Sequence, residues 1–228
     1  MKHNIKGIIF DLDGTLIDSL LDLTESVNYA LKKVGLKTYE PEIVKNFVGN
    51  GMRSLIETSI NHLLMEKKIK QNDANQIKEK CLQYFLEHYD DNCIHHTDVF
   101  FGVEDFLKTY QKQYKFAILT NKSEYFTYKI INHLKMKEFF THILTGDKET
   151  YKKPKPYGIK KIQKNWGFSN NEILMIGDHY TDILAAKNAN IPSVFAIYGY
   201  GKLNGLIPEY SIKDFLSLKQ LLNLINNR

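Results

Sequence analysis

The sequence predicts an α/β protein: a doubly wound, Rossmann-like parallel-sheet core at residues 1–17 and 92–228, with a small helical cap domain inserted at 18–91. Three observations predict it. The run Ile8-Ile9-Phe10 is apolar without interruption, as suits a parallel strand buried on both faces, and it ends in two carboxylates, Asp11 and Asp13. From about residue 20 to 90 the apolar residues recur at helical spacing with no strand between them, over a stretch far longer than an ordinary strand-to-helix loop of about 2–6 residues. From Asp98 onward strands and helices alternate, which implies a parallel sheet with helices on both faces; the first strand joins it across the insertion.

In chain order, Leu20, Leu23, Val27, Leu31 and Val34 share one helical face, followed by Met52, Leu55, Ile56, Ile60, Leu63 and Leu64, then Ile77, Cys81, Tyr84, Phe85 and His88. Gly35, Pro41 and the turn Gly49-Asn50-Gly51 separate them. Beyond the insertion, strands are expected at Phe116–Leu119, His142–Leu144, Ile173–Ile176 and Ser193–Ile197. Helices are expected from Glu124, at Tyr157–Trp166, from Tyr180 and, as an amphipathic tail, at Leu216–Ile225.

The 228 residues suffice for one sizeable core plus a small second domain. Lys and Arg exceed Asp and Glu by 31 to 26, a mild excess that suits anionic small molecules, and no basic run is concentrated enough for a nucleic-acid partner. Two cysteines, Cys81 and Cys93, form neither a disulfide framework nor a zinc motif, and Cys93 with His95 and His96 lacks CxxC or HxxxH spacing. The N-terminus carries no signal-peptide core and no apolar stretch approaches ~18 residues, so a cytoplasmic protein with no membrane partner is expected. Nothing in the sequence fixes the oligomeric state.

Doubly wound sheets bind ligands at the carboxyl ends of their strands. Asp11 and Asp13 point to one side if the chain stays extended, and Gly14 permits a tight exit that brings backbone close to a ligand. Leu119-Thr120-Asn121-Lys122 ends the next strand with a hydroxyl and N–H groups entering a helix, suited to phosphoryl oxygens or to a simple helix cap. Lys152-Lys153-Pro154-Lys155-Pro156 is either a lysine presented by proline-fixed backbone or a solvated basic loop. Gly177-Asp178 through Asp182 adds two carboxylates one helical turn apart. Asp11, Asp178 and a backbone carbonyl near Asp13 would satisfy Mg²⁺, which takes one or two carboxylates plus substrate phosphate. Turn and cap readings explain each segment singly but not all four together.

On these four segments, and over essentially its full length, the chain resembles the haloacid dehalogenase superfamily of phosphohydrolases. The resemblance implies that Asp11 is the nucleophile that becomes an aspartyl phosphate, Asp13 the general acid and then base, and Thr120 and Lys153 the stabilisers of the transferred group. It further implies that Asn121, Gly14 and Thr15 bind substrate, that Asp11, Asp13 and Asp178 ligate Mg²⁺, and that Asp182 supports Lys153 or a metal-bound water. Lys152 and Lys155 compete for the lysine role; Lys153 matches because it opens the Lys-Pro-x-Pro pattern. These roles make physical sense, because an anionic carboxylate attacks an anionic phosphate only if cations neutralise the charge. Crowding by other acids is expected to favour protonation of Asp13, whose acid/base role is typically worth about 10²–10⁴-fold. The dehalogenase branch lacks this second aspartate.

The stretch Phe47-Val48-Gly49-Asn50-Gly51-Met52-Arg53 looks like the cap loop of bacterial phosphoglycolate phosphatases, and Ile197-Tyr198-Gly199-Tyr200-Gly201 like the segment after their last strands. One departure is Phe101-Gly102, where a Pro-Gly usually precedes the helix near Val103. The implied substrate is a small phosphorylated metabolite, 2-phosphoglycolate first. Arg53 either pairs with its carboxylate through a bidentate fork or is an exposed arginine at a helix start. Related caps act on nucleotides, pyrophosphate and sugar phosphates, and a phosphomutase shares the fold. A phosphoacceptor signalling module also uses Asp, Mg²⁺, Thr and Lys on a parallel sheet, but the long insertion and Asp13 argue against it.

Overall fold

The computed structural model describes residues 4–65 and 74–227. The chain divides into two compact units, one running up to Asp18 and resuming at Asp98, the other spanning Ser19–Thr97.

The first unit is built on a six-stranded sheet in the order β5-β4-β1-β6-β7-β8, formed by β1 (Gly7–Phe10), β4 (Lys115–Leu119), β5 (Phe140–Leu144), β6 (Ile173–Gly177), β7 (Ser193–Ala196) and β8 (Tyr210–Ile212). Every neighbouring pair is parallel. All four residues of β1 are buried, as both of its faces are covered. The short strands β2 (Ile17–Asp18) and β3 (Asp98–Val99) form a separate antiparallel pair where the chain leaves and re-enters this unit.

Register decides where the chemistry emerges. Phe10 on β1 lies level with Ile118 on β4 and Ile176 on β6, so Asp11, Thr120 and Asp178 leave the same edge of the sheet. The strand order reverses across β1, making this edge the topological switch point where such sheets bind ligands.

Helices α5 (Val103–Tyr110), α6 (Glu124–His133), α7 (Tyr157–Trp166), α8 (Tyr180–Ala189) and α9 (Ser217–Asn226) complete the unit. Ile159, Ile162 and Trp166 of α7 pack with Ala185, Ala186 and Ala189 of α8 against Ile9, Ala117 and Met175 of the sheet. The Trp166 indole N–H donates to Thr141 Oγ1 at 2.9 Å, satisfying the one polar atom of that ring. Elsewhere Phe10, Phe106, Phe116 and Phe215 form an aromatic cluster with ring centroids 5.5–6.1 Å apart.

The second unit holds α1 (Leu20–Lys33), α2 (Pro41–Val44), α3 (Met52–Met65) and α4 (Ala74–Asn92). Val27, Ala30 and Leu31 of α1 and Cys81, Phe85 and Tyr89 of α4 are fully or almost fully buried at the spacing the sequence shows. Cys81 and Cys93 are buried free thiols, and burial pushes the Cys81 thiol up to about 11. The unit extends to Thr97, past the boundary at 91 read from the sequence. The physical cause is Asp22, a fully buried carboxylate on α1 that accepts from His96 N, Thr97 N and Thr97 Oγ1, fastening the exit segment to the helix. Among the described residues no helix is long and apolar enough to cross a membrane.

Candidate active site

The backbone N–H of Asp11 donates to Ile176 O at 2.9 Å, extending the β1–β6 ladder by one step and fixing the carboxylate at the sheet edge. Its Oδ1 accepts from Leu12 N at 2.7 Å and pairs with Lys153 Nζ at 2.7 Å. Lys153 Nζ also pairs with Asp182 Oδ1 at 2.6 Å, so one buried ammonium bridges two buried carboxylates. Lys155, by contrast, is exposed and pairs with Glu149.

Asn121 clamps the main chain of Lys153: its Oδ1 accepts from Lys153 N at 2.8 Å and its Nδ2 donates to Lys153 O at 3.2 Å. Both ends of the amide thus position the lysine. Thr120, 2 % exposed, accepts at Oγ1 from Lys122 N.

Asp178 leaves β6, the strand beside β1, one residue past the position level with Asp11. Its Oδ1 accepts from Thr15 Oγ1 at 3.1 Å, and its Oδ2 from Tyr200 N and Gly201 N at 2.8 and 3.1 Å. This close arrangement needs glycine twice. Gly14 has φ +80°, and a Cβ there would strike the Asp178 carboxylate; a Cβ on Gly199 would strike Asp178 and the Gly14 carbonyl. Tyr198 Oη donates to Thr15 O and Tyr200 Oη to Asp18 Oδ1, tying the same loop to the chain after β1. Asp182 Oδ2 accepts from His179 N at 2.9 Å and so caps α8 while its other oxygen holds Lys153.

The electrostatics follow from burial. Carboxylate oxygens of Asp11, Asp178 and Asp182 lie within 4.8 Å of one another, with one buried lysine among them. Burial raises Asp11 against the pull of Lys153, and Asp182 adds to the rise, to about 6. Burial and the charges of Asp11 and Asp182 push Asp178 up to about 7. Burial opposes the charge on Lys153, yet Asp11 and Asp182 outweigh it and hold the ammonium above its usual range. Burial depresses His179 to about 4, keeping it neutral. Three acids against one lysine, all with hard oxygen donors, suit a divalent cation of the Mg²⁺ type.

The sequence reading expected acid crowding to act on Asp13. Instead the crowding falls on Asp11, Asp178 and Asp182, while Asp13 meets Lys122 Nζ at 2.9 and 3.2 Å. Lys122 is a site residue that sequence reasoning missed, because its partner Asp13 lies 109 positions away along the chain. The amides of Tyr200 and Gly201 were equally invisible as ligands of a carboxylate, although the Gly-Tyr-Gly pattern marked the loop. Arg53 lies in the helical unit, where its guanidinium spans α3 to α4 and meets Glu79 at 2.5 and 3.3 Å with both side chains more than half exposed.

The chain is 32% identical over 220 residues to a phosphoglycolate phosphatase of Aquifex aeolicus, covering 96% of this chain and 97% of the relative. Among solved structures, one described as a predicted phosphoglycolate phosphatase from Haemophilus somnus 129PT superposes with TM-score 0.86 at 28% identity, covering 95% of this chain and 97% of that one. A HAD-hydrolase of Bacillus subtilis bound to magnesium shares the fold, with TM-score 0.71 at 18% identity over 96% of this chain and 99% of that one. The family model described as haloacid dehalogenase-like hydrolase matches residues 8–196, from β1 through the last residue of β7. By that match and by its relatives, the chain belongs to the haloacid dehalogenase-like hydrolases and is a phosphatase among them.

Proposed function

We propose that the protein hydrolyses 2-phosphoglycolate with Mg²⁺, through an aspartyl phosphate on Asp11. The observation that carries the mechanism is the buried Lys153 bridging Asp11 and Asp182 beside Asp178. The bonds from Leu12 N and Lys153 engage Asp11 Oδ1, which leaves Oδ2 to attack phosphorus. The bond from phosphorus to the glycolate oxygen breaks as Asp13 gives that oxygen a proton. A water then attacks the phosphorus of the aspartyl phosphate, Asp13 takes its proton, and the Asp11 carboxylate and inorganic phosphate are released. Lys122 Nζ engages both oxygens of Asp13, at 2.9 and 3.2 Å, and so holds that side chain in place for both steps. Thr120 and Lys153 hold the transferred group, and Gly14 and Thr15 bring backbone to the substrate. Asp11, Asp178 and the main-chain carbonyl of Asp13 would hold Mg²⁺, which supplies the positive charge that lets two anions approach.

The substrate assignment rests on the relatives' names and on the cap-loop likeness, which makes Arg53 the candidate for the substrate carboxylate. The magnesium of the Bacillus subtilis neighbour supports the metal. A cytoplasmic location fits a small-metabolite substrate.

The test is steady-state turnover on a panel of phosphomonoesters with Mg²⁺. Asp11→Asn keeps the side chain's shape without the anion, and kcat should fall by at least ~10³-fold with the fold intact. Near-normal turnover in that variant would refute the covalent mechanism. A guanidinium–carboxylate pair is worth roughly 1.5–3 kcal/mol, so Arg53→Ala should cost about 10–150-fold in kcat/KM for phosphoglycolate and far less for p-nitrophenyl phosphate, which has no carboxylate. A wide preference of the wild type for nucleotides or pyrophosphate would displace the substrate while leaving the phosphatase.

A further inference from the structure

The helical unit carries a second cluster of metal-ligating side chains that the phosphatase chemistry does not use. Glu25, His95 and His96 are exposed, and one ligand atom of each lies within 4.8 Å of the others. We propose that these three residues form a surface site for Zn²⁺ or a similar transition-metal dication.

The donor set differs in kind from the carboxylates of the active site. Two imidazoles and one carboxylate suit Zn²⁺ and its neighbours rather than Mg²⁺, which takes oxygen. Zinc bonds to nitrogen and oxygen run about 2.0–2.1 Å, so two ligands of a tetrahedral site stand roughly 3.4 Å apart. His96 Nε2 and Glu25 Oε1 are 3.5 Å apart. The His95 and His96 rings lie against each other at a tilt, with centroids 4.4 Å apart and planes inclined by 32°. Three protein ligands would leave the fourth position to water.

The frame beneath the cluster is already rigid. Asp22 and Glu25 are three residues apart on α1, hence on neighbouring positions of one face. Asp22 is buried and grips the backbone N–H of His96 at 2.9 and 3.1 Å and that of Thr97 at 2.9 Å. The backbone that carries the His96 ring is therefore fixed to the helix that carries Glu25. An ion pair between Glu25 and a protonated His96 would explain two of the three residues but gives His95 no part. The sequence offered no CxxC or HxxxH spacing because the third ligand comes from a helix some seventy positions earlier; buried Cys93 plays no part. A bound dication would tie α1, which follows the entry of the chain into this unit, to the segment from which the chain leaves it.

The experiment titrates Zn²⁺ into the full-length protein with Mg²⁺ in large excess to fill the carboxylate cluster, and follows binding by calorimetry or by competition with a chromophoric chelator. One Zn²⁺ per chain is expected, with Glu25→Gln, His95→Ala and His96→Ala each weakening it by about ten-fold or more. Mg²⁺-supported turnover and the circular dichroism spectrum should be unchanged in all three. Co²⁺ should give the intense visible bands of a four-coordinate site in the wild type and lose them in the variants. Failure of the wild type to bind Zn²⁺ at micromolar concentration, or undiminished binding in the triple variant, would overturn the proposal.

Discussion

At position 122 a lysine side chain is only 3 % exposed, and its ammonium faces both oxygens of Asp13. Desolvation at this depth is tolerable only because the partner is charged and close. Removing the lysine takes its ammonium from both oxygens of Asp13, so Lys122→Ala should lower kcat by at least about 10-fold while KM changes little. The double-mutant cycle with Asp13→Asn separates a shared role from general damage: if the two act as a pair, the double variant should be little worse than Asp13→Asn alone. Fully additive losses would show that Lys122 acts elsewhere. Asp11, Asp13 and Asp178 were legible because they sit at or just past the ends of apolar runs, and Asp182 because it follows Asp178 by one helical turn. Lys122 and the amides of Tyr200 and Gly201 were not, because their significance lies in contacts with residues distant in sequence.

At the scale of elements, α7 and α8 pack against β1, β4 and β6. Three alanines on α8 and the fully buried Ile159 and Ile162 on α7 make this packing close, and its tightness keeps Lys153, just ahead of α7, opposite Asp182 on α8. Ile162→Ala should cost about 2–5 kcal/mol, the usual range for emptying a fully buried site, read as a lower urea midpoint at unchanged slope. A loss below ~1 kcal/mol would mean that the helices collapse into the space. The sequence predicted α7 at its observed bounds of 157–166, because its apolar period is strong and Pro156 and Gly167 flank it. It did not predict β2, β3 or β8, which have two, two and three residues, too few for any period to appear. The helix expected near Val103 begins there, entered by Gly102 at φ +89°, a left-handed conformation the absent proline does not affect.

For the whole molecule, the buried acids couple stability to pH and metal. Asp11 and Asp178 bind protons more tightly folded than unfolded, since their ordinary value is 3.8 and the folded values are about 6 and 7. Their contribution is therefore full below pH 3.8 and is lost as pH rises through the folded values. In EDTA the melting temperature of wild type should fall more between pH 5.5 and pH 8 than that of Asp178→Asn. Mg²⁺ should raise it more at pH 8 than at pH 5.5, since ligand binding stabilises the folded state and here competes with protons. An equal Mg²⁺ effect at both pH values would disprove the coupling. The position of β1 has a temporal consequence as well. Gly7 pairs with Lys115 on one side and Ile173 on the other, so β1 is made more than a hundred residues before either of its neighbours. Until β6 and the turn after it are synthesised, Asp11 has neither Asp178 nor Asp182 beside it, and the proposed catalytic centre does not yet exist.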